Sequence, residues 1–208
     1  MCTVTFLPRP TGYYLAMNRD EKRVRPKGLA PKQRIVAGHK VLYPSEPGGG
    51  TWIALNDAGG SLALVNWHSV TARAKRHAVS RGGVVGTVCS ASNQHLMEVG
   101  RAKLPLRRIN PFRLIGVFPA TRQVAEWRWG LKRLTRKSHR WRARQWISSG
   151  FDEPAAQRVR IRTFRLAQRQ KSAGSLALAA ALAPLALTAE GPVFQLHASQ
   201  RCRHGELH

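Results

Sequence analysis

The chain opens with two short runs of β-prone residues separated by a turn. Residues 2–7 (CTVTFL) and 13–17 (YYLAM) are rich in β-branched and aromatic side chains, and PRPTG lies between them. Proline and glycine favour turns because proline fixes one backbone angle and glycine accepts conformations closed to other residues. We therefore predict an antiparallel hairpin at the N-terminus.

The same pattern recurs twice along the chain. Residues 51–55 (TWIAL) and 62–67 (LALVNW) flank the turn-forming stretch NDAGG, and residues 112–118 (FRLIGVF) and 124–129 (VAEWRW) are joined by a short polar link. Residues 22–47 are rich in proline, lysine and arginine and show periodicity only around IVAGHKVLY, so we predict a connection there. Hairpins with helical segments between and after them indicate an α+β fold, in which antiparallel sheets are covered by helices.

Two helices are predicted in the C-terminal part. Asp152 suits an N-cap and Pro154 a first helical turn, so a helix should run to about Lys171. The alternation in VRIRTF is also compatible with a strand. The apolar run 175–189 is interrupted by Pro184. It is shorter than the roughly 20 residues that span a bilayer, so we predict a core helix ending near residue 183 and no transmembrane segment.

Positive charge dominates the composition. The 208 residues include 35 Lys+Arg and 10 Asp+Glu, a formal net charge of +25. Such an excess attracts polyanions such as nucleic acid, acidic membranes or phosphate-bearing ligands. Residues 101–171 hold 20 of the basic and 3 of the acidic residues, interleaved with four tryptophans. Because Trp127 and Trp129 share one face of a predicted strand and no nucleic-acid motif is present, we do not expect nucleic acid as the partner.

The cysteines indicate a reducing compartment. Cys2, Cys89 and Cys202 are odd in number and form no CxxC pair, which argues against a disulfide scaffold. The N-terminus lacks the basic and apolar regions of a signal peptide. We therefore expect a cytoplasmic protein.

Cys2 is a candidate nucleophile. If Met1 is removed, Cys2 carries a free α-amino group whose reference pKa of about 8 lets it accept the thiol proton. A hairpin brings the end of its second strand, Asn18-Arg19-Asp20-Glu21, beside the start of its first strand. Arg19 and Asp20 are therefore expected beside Cys2, where a cation favours the thiolate. A charged strand end leading into a loop would give the same residues, and this alternative stays open.

Several separated motifs together resemble the NRDE family, also called the transport and Golgi organisation family. They are MCTVTFLPRP, NRDE at 18–21, GGGTWIALNDAGGSLALVNW at 48–67, SRGG at 80–83, INPFRLIGVF at 109–118 and SSG at 148–150. Their order along the chain matches the family, and the likeness extends to about residue 180.

The resemblance implies a fold and a chemistry. The family is related to N-terminal nucleophile hydrolases, so the implied fold is an αββα sandwich of two antiparallel sheets. Similarity to bile-salt hydrolases and penicillin V acylases implies that Cys2 attacks an amide or acyl carbonyl, that Arg19 and Asp20 position its amine and thiolate, and that Asn66 donates to the oxyanion. Arg81 is a candidate for a later catalytic arginine. A later catalytic asparagine of those enzymes has no counterpart here. Hydrolysis of this kind requires no cofactor and no metal.

The wider family also implies an alternative function. The protein would then be a non-enzymatic carrier of haem or of a lipid such as acyl-CoA, with Cys2 as a ligand contact. Haem as a cargo needs an axial ligand, and the sequence offers His39, His68, His77 and His95. The expected partner is thus a small amide, acyl or haem-type molecule.

The likeness to the family ends near the C-terminus, in LHASQRCRHGELH. Permitted codons for this segment, shifted by one nucleotide, encode an ending like that of the family. We therefore hypothesise a frameshift that replaces the last β-strand, and predict a single domain over residues 1–195 followed by a polar tail over 196–208.

The nucleophile hypothesis predicts the mass of the purified protein. We expect intact-mass spectrometry to show a chain that lacks Met1, because only then does Cys2 carry the free amine that activates its thiol. Retention of Met1 on the whole population would remove the catalytic role of Cys2.

Overall fold

The computed structural model describes residues 2–19, 28–74 and 77–169, and the backbone of residues 194–199. A four-stranded antiparallel sheet, called sheet A, has the strand order β10-β1-β2-β11. Its strands are β1 (Cys2–Arg9), β2 (Gly12–Arg19), β10 (Arg144–Ser148) and β11 (Phe194–Ser199).

A seven-stranded antiparallel sheet, sheet B, has the order β3-β4-β5-β6-β7-β8-β9. Each strand pairs with its neighbours in sequence. The strands are β3 (Leu29–Val36), β4 (His39–Ser45), β5 (Ile53–Asn56), β6 (Ser61–Asn66), β7 (Phe112–Phe118), β8 (Gln123–Trp129) and β9 (Leu134–His139).

Among the described residues, three α-helices cover the outer faces of the two sheets. Helices α1 (Gly82–Val88) and α2 (Gln94–Arg101) pack on sheet B through residues such as Val85 and Met97. Helix α3 (Glu153–Arg169) packs on sheet A, where Phe164 meets Leu7. The layers are therefore α, β, β and α, which confirms the fold implied by the resemblance.

The core between the sheets follows from alternation along the strands. Successive side chains of a strand point to opposite faces, so every second residue can enter one core. Val4 and Phe6 of β1 meet Ile115 and Val117 of β7 in this inter-sheet core. The intervening polar positions Thr3 and Thr5 face helix α3 and the outer surface of sheet A, where Arg160 donates to Thr3.

All three predicted hairpins are present, but the connection predicted over residues 22–47 is wrong for residues 29–45. Strands β3 and β4 form a further hairpin there. Its two-residue turn, Ala37-Gly38, has φ of 49° and 81°. Two positive φ angles match the right-handed twist of paired strands. The prolines in this region obscure the pattern, and Pro31 is tolerated because β3 is an edge strand.

The predicted helix after residue 152 is confirmed, and a strand at VRIRTF is excluded. The Asp152 Oδ1 atom accepts a hydrogen bond from the backbone N–H of Ala155 at 2.8 Å, as an N-cap should. Strands β9 and β10 and the two helices of sheet B were not placed by the sequence pattern. The apolar run 175–189 lies outside the described residues.

The four tryptophans of the basic region are packing residues. Trp127 and Trp129 are buried under the helices of sheet B, and their indole N–H groups donate to Glu98 Oε1 at 2.7 Å and to the carbonyl of Ile109 at 2.8 Å. Trp141 and Trp146 pack in the inter-sheet core. None of these rings forms an exposed platform for stacking nucleobases.

Strand β11 lies at the edge of sheet A beside β2, with Phe194 opposite Met17 and Ser199 opposite Gly12. A strand thus occupies this edge, and residues 196–199 belong both to it and to the segment predicted as a polar tail. The frameshift hypothesis stays a prediction. In the part of the chain that the structure describes, no helix is both long enough and apolar enough to cross a lipid bilayer.

A buried ionic cluster lies between the sheets at β7, β8 and β9. Glu126 is fully buried and accepts from Arg113 Nε at 2.6 Å, from Arg128 Nε at 2.9 Å, and bonds His139 Nε2 at 3.0 Å. Arg113 also donates to the carbonyl of Ile147 in sheet A at 3.0 Å, so the cluster connects the two sheets. Burial alone would raise the pKa of Glu126, but its hydrogen bonds and the charge of Arg113 together hold that pKa far below its usual range.

This cluster predicts acid-sensitive stability. Because the pKa of Glu126 is lower in the folded chain than the value of about 4.3 expected when unfolded, its contribution is complete above that pH and is lost as the pH falls below it. Urea unfolding between pH 7 and pH 2 should show this loss. Glu126→Gln should lower the free energy of unfolding at pH 7 by about 3–5 kcal/mol and reduce the acid slope. An unchanged slope in the variant would contradict the assignment.

Candidate functional site

The first hairpin brings Cys2 and Arg19 together. Their Cα atoms are direct partners in the β1–β2 register, and Ser148 of β10 is the partner of Cys2 on its other side. Directly opposed residues of an antiparallel pair have Cα atoms about 4.5–5.5 Å apart. Cys2 is half-buried at this end of sheet A and is in no disulfide with a described residue. The juxtaposition expected from the hairpin is therefore present. Asp20, expected beside it, lies outside the described residues.

Two residues of the loop between β4 and β5, Glu46 and Trp52, hold Arg19 in place. Arg19 Nη2 donates to Glu46 Oε1 at 2.9 Å, and its guanidinium lies 3.9 Å from the centroid of the Trp52 ring. The side chains of Arg19 and Glu46 are only 14% and 24% exposed, which strengthens their attraction relative to a surface pair. A planar guanidinium fixed by a carboxylate and an aromatic ring loses little further entropy when it contacts a ligand.

A close backbone contact fixes the loop that carries Arg81. Gly50 and Gly82 approach so closely that a Cβ atom on Gly82 would lie 2.8 Å from the Gly50 Cα atom. Thr51 N–H donates to the Gly82 carbonyl at 3.1 Å across this contact. Glycine permits such an approach because it has no side chain. The GGG and SRGG motifs therefore pack against each other, and Arg81 precedes helix α1 at this junction.

One cavity joins these features. It has a volume of about 320 Å³, and Cys2, Arg19, Asn66 and Arg81 all line it. Asn66 is the last residue of β6, opposite Phe112. Arg81 Nη1 donates to the carbonyl of Pro111 at 3.2 Å. Four of the five residues predicted for the site thus line one cavity. The fifth, Asp20, lies outside the described residues.

Other polar residues of the cavity were missed by sequence reasoning. Glu46, Ser80 and Asn110 line it with Thr51 and Trp52. Glu46 carried a usable signal, because it is one of only 10 acidic residues and lies two positions before the first glycine of the GGG motif. Asn110 is part of INPFRLIGVF, one of the motifs that resemble the family, but nothing in the sequence marked its side chain as a site residue. Its side-chain oxygen accepts from the backbone N–H of Ala74.

The histidines offered as haem ligands are dispersed. None of them is among the described residues that line the cavity. His39 bonds Asp57 at 2.7 Å on the far hairpin of sheet B. His68 borders the site, since its ring would touch a Cβ atom placed on Gly150. Burial, followed by the charge of Arg81, lowers the pKa of His68, and Glu153 opposes that shift. In the described residues no group of three metal-ligating side chains occurs.

Comparison with known proteins identifies relatives in sequence and in structure. The family model described as Transport and Golgi organisation 2 matches residues 1–126. No curated protein matches. Residues 1–126 include Cys2, Arg19, Asn66 and Arg81, so the matched part contains all the cavity residues named above.

The solved structures give the fold. A penicillin V acylase from Agrobacterium tumefaciens superimposes with a TM-score of 0.56 at 11% sequence identity, covering 91% of this chain and 75% of that chain. A conjugated bile acid hydrolase from Clostridium perfringens gives a TM-score of 0.43 at 12% identity, covering 78% of this chain and 58% of that chain. The chain thus has the fold of N-terminal nucleophile hydrolases.

The close contact between Gly50 and Gly82 predicts that alanine substitutions at the neighbouring positions Gly82 and Gly83 have different effects on stability. Gly82→Ala should lower the free energy of unfolding by about 1–3 kcal/mol, because its methyl group would overlap the Gly50 backbone. Gly83→Ala is the matched control, since a Cβ atom there meets nothing within 4 Å. It should leave stability unchanged or raise it slightly through helix propensity. Urea unfolding of both variants measures this, and equal effects would show that the contact is not tight.

Proposed function

Because this chain belongs to the Transport and Golgi organisation 2 family, whose model matches residues 1–126, we propose that it is an N-terminal cysteine amidohydrolase or acyltransferase. Its substrate would be a small amide or acyl compound, and Cys2 would be the nucleophile. We assign the activity to the reducing environment of the cytosol, which fits the absence of a disulfide between the described cysteines, Cys2 and Cys89.

The observation that carries this proposal is the meeting of Cys2, Arg19, Asn66 and Arg81 at one cavity. These residues come from four separate segments, so the fold has to bring them together. They supply a thiol, two cations and an amide N–H donor, which are the groups that acyl transfer from a thiol requires. The cavity of about 320 Å³ is near the lower end for ligand pockets, which favours a small substrate.

The first half of the reaction forms a thioester. The α-amino group of the processed chain takes the proton of the Cys2 thiol, and the sulfur forms a bond to the substrate carbonyl carbon while the carbonyl electrons move onto oxygen. The Asn66 side-chain N–H donates to this oxyanion. The C–N bond then breaks, the α-ammonium group returns its proton to the leaving nitrogen, and an amine departs from the thioester.

The second half removes the acyl group. Water attacks the thioester carbon while the α-amino group accepts one water proton. The C–S bond then breaks to release a carboxylic acid, and the α-ammonium group passes its proton to the sulfur, which regenerates the Cys2 thiol and the free amine. An acceptor amine in place of water would give a new amide instead. The two outcomes differ only in which nucleophile enters, so the chemistry of Cys2 is common to both.

The arginines have separate roles in this proposal. Arg19 is the cation opposite Cys2, and it favours the thiolate form while Glu46 and Trp52 keep it oriented. Arg81 also lines the cavity, where it would contact the substrate's acyl oxygen or a negative group on the substrate. Asp20 follows Arg19 directly in sequence and would orient the α-amino group.

The structural neighbour does not identify the substrate of this chain. The acylase from Agrobacterium tumefaciens is named for penicillin V, but kinship in fold does not transfer a substrate. A panel of chromogenic N-acyl amides with short and long acyl chains, together with penicillin V assayed by its released products, is therefore the appropriate screen.

Activity and thiol reactivity should both depend on Cys2. Cys2→Ala should abolish hydrolysis, and Cys2→Ser should reduce it by at least about 10²-fold, because a hydroxyl is a weaker nucleophile. Cys89→Ala is the control, since Cys89 is buried and burial raises the pKa of its thiol. All variants should also carry Cys202→Ser, so that alkylation at residue 202 does not contribute to the result. Peptide mapping after iodoacetamide treatment should find Cys2 alkylated well before Cys89.

Two results would contradict the proposal. Turnover of any panel amide by Cys2→Ala at the rate of the parent chain would remove Cys2 from the mechanism. Failure of the parent chain to turn over or to be acylated by any compound, together with a saturable haem spectrum or acyl-CoA binding that survives Cys2→Ala, would favour the carrier alternative.

A further inference from the structure

Four arginines form one stripe along helix α3. Arg158, Arg162, Arg165 and Arg169 are spaced by four, three and four residues, which places them on a single face of the helix. All four are exposed. The stripe extends over about 16 Å, because an α-helix rises 1.5 Å per residue. It is separate from the Cys2 cavity, whose lining includes no residue of α3.

Nothing in the described part of the chain neutralises this stripe. No ion pair joins any of the four arginines to a described residue. The acidic residue of α3, Glu153, is buried and directed to Ser69 and Arg113 instead. Like charges four residues apart destabilise an isolated helix. The folded helix therefore holds a row of guanidinium groups that repel one another, and binding of an external anion would reduce this repulsion.

Large apolar side chains lie exposed next to the stripe. Val159 and Leu166 are seven residues apart on the outward side of α3 and are 65% and 50% exposed. Phe151, two residues before the helix, is 97% exposed. The opposite side of the helix is the one that packs on sheet A, through Phe164. The outward side thus combines arginines with apolar groups that the fold leaves in water.

The combination of arginines with exposed apolar side chains favours an acidic membrane over single-stranded nucleic acid as the partner of this helix. Single-stranded nucleic acid is bound by basic residues together with several aromatic platforms. Here the large apolar side chains exposed between the arginines, Val159 and Leu166, are aliphatic, Phe151 stands before the helix, and the nearby tryptophans are in the cores. An interfacial membrane helix combines arginines on its polar side with aliphatic and phenylalanine side chains that enter the lipid boundary.

We infer that helix α3 is a docking surface for an acidic phospholipid membrane. The four arginines meet lipid phosphates and the negative surface charge, while Val159, Leu166 and Phe151 insert into the interfacial layer. In this arrangement helix α3 lies on the membrane surface.

The test is co-sedimentation of the full chain with vesicles. Vesicles of phosphatidylcholine alone are compared with vesicles of an equimolar mixture of phosphatidylcholine and phosphatidylserine, at two salt concentrations. We expect binding to the mixed vesicles, weakened by salt because the surface attraction is screened. Arg162→Gln with Arg165→Gln should weaken binding roughly 10- to 30-fold, since each basic residue near such a surface contributes about 1 kcal/mol. Leu166→Gln should weaken it less.

The matched control is Arg133→Gln with Arg140→Gln, which removes the same charge from exposed positions in the loops beside β9. It should bind the mixed vesicles nearly as the parent chain does. Thermal unfolding of both double variants verifies that they are folded.

Three results would overturn the inference. The first is equal binding to both kinds of vesicle, or to neither. The second is an equal loss in the control double variant, which would assign the attraction to net charge. The third is binding of a single-stranded oligonucleotide that depends on Arg162 and Arg165 while vesicle binding does not, which would assign the stripe to nucleic acid.

Discussion

The register of the first hairpin is the constraint on which the rest of the site depends. With Arg9 opposite Gly12 at the turn, pairing along β1 and β2 ends with Cys2 opposite Arg19. Val4, Phe6, Leu15 and Met17 then point into the inter-sheet core. A slip of one residue would turn these side chains out of the core and separate Cys2 from Arg19. Burial of the core therefore selects the register that also builds the site.

Sheet B completes the site through contacts that bridge the two sheets. Glu46 and Trp52, which stand before and after the glycine-rich segment, orient Arg19. The Gly50–Gly82 contact holds the loop of Arg81 against the same segment. The buried cluster around Glu126 connects the sheets again at another position. These polar contacts are directional, so they fix the relation between the sheets more narrowly than the apolar core alone does.

Much of this could be predicted from the sequence, for identifiable reasons. The hairpins at residues 2–17, 51–67 and 112–129 have clear alternation and turn residues, and the Cys2–Arg19 contact follows from one of them. Helix α3 was signalled by Asp152 and Pro154. Strands β3 and β4 were missed because proline and charge dilute their pattern at an exposed edge. The Gly50–Gly82 contact and the Arg19–Glu46 pair could not be predicted, because they join segments far apart in sequence.

The central claim, that Cys2 is an acylated nucleophile, is tested most directly by intact-mass spectrometry of the protein after exposure to a p-nitrophenyl ester of a short carboxylic acid. The account predicts a chain without Met1 that gains the mass of one acyl group, mapped to Cys2, and that loses it again in water. Acylation absent from Cys2, or present to the same extent in Cys2→Ala, would contradict the claim.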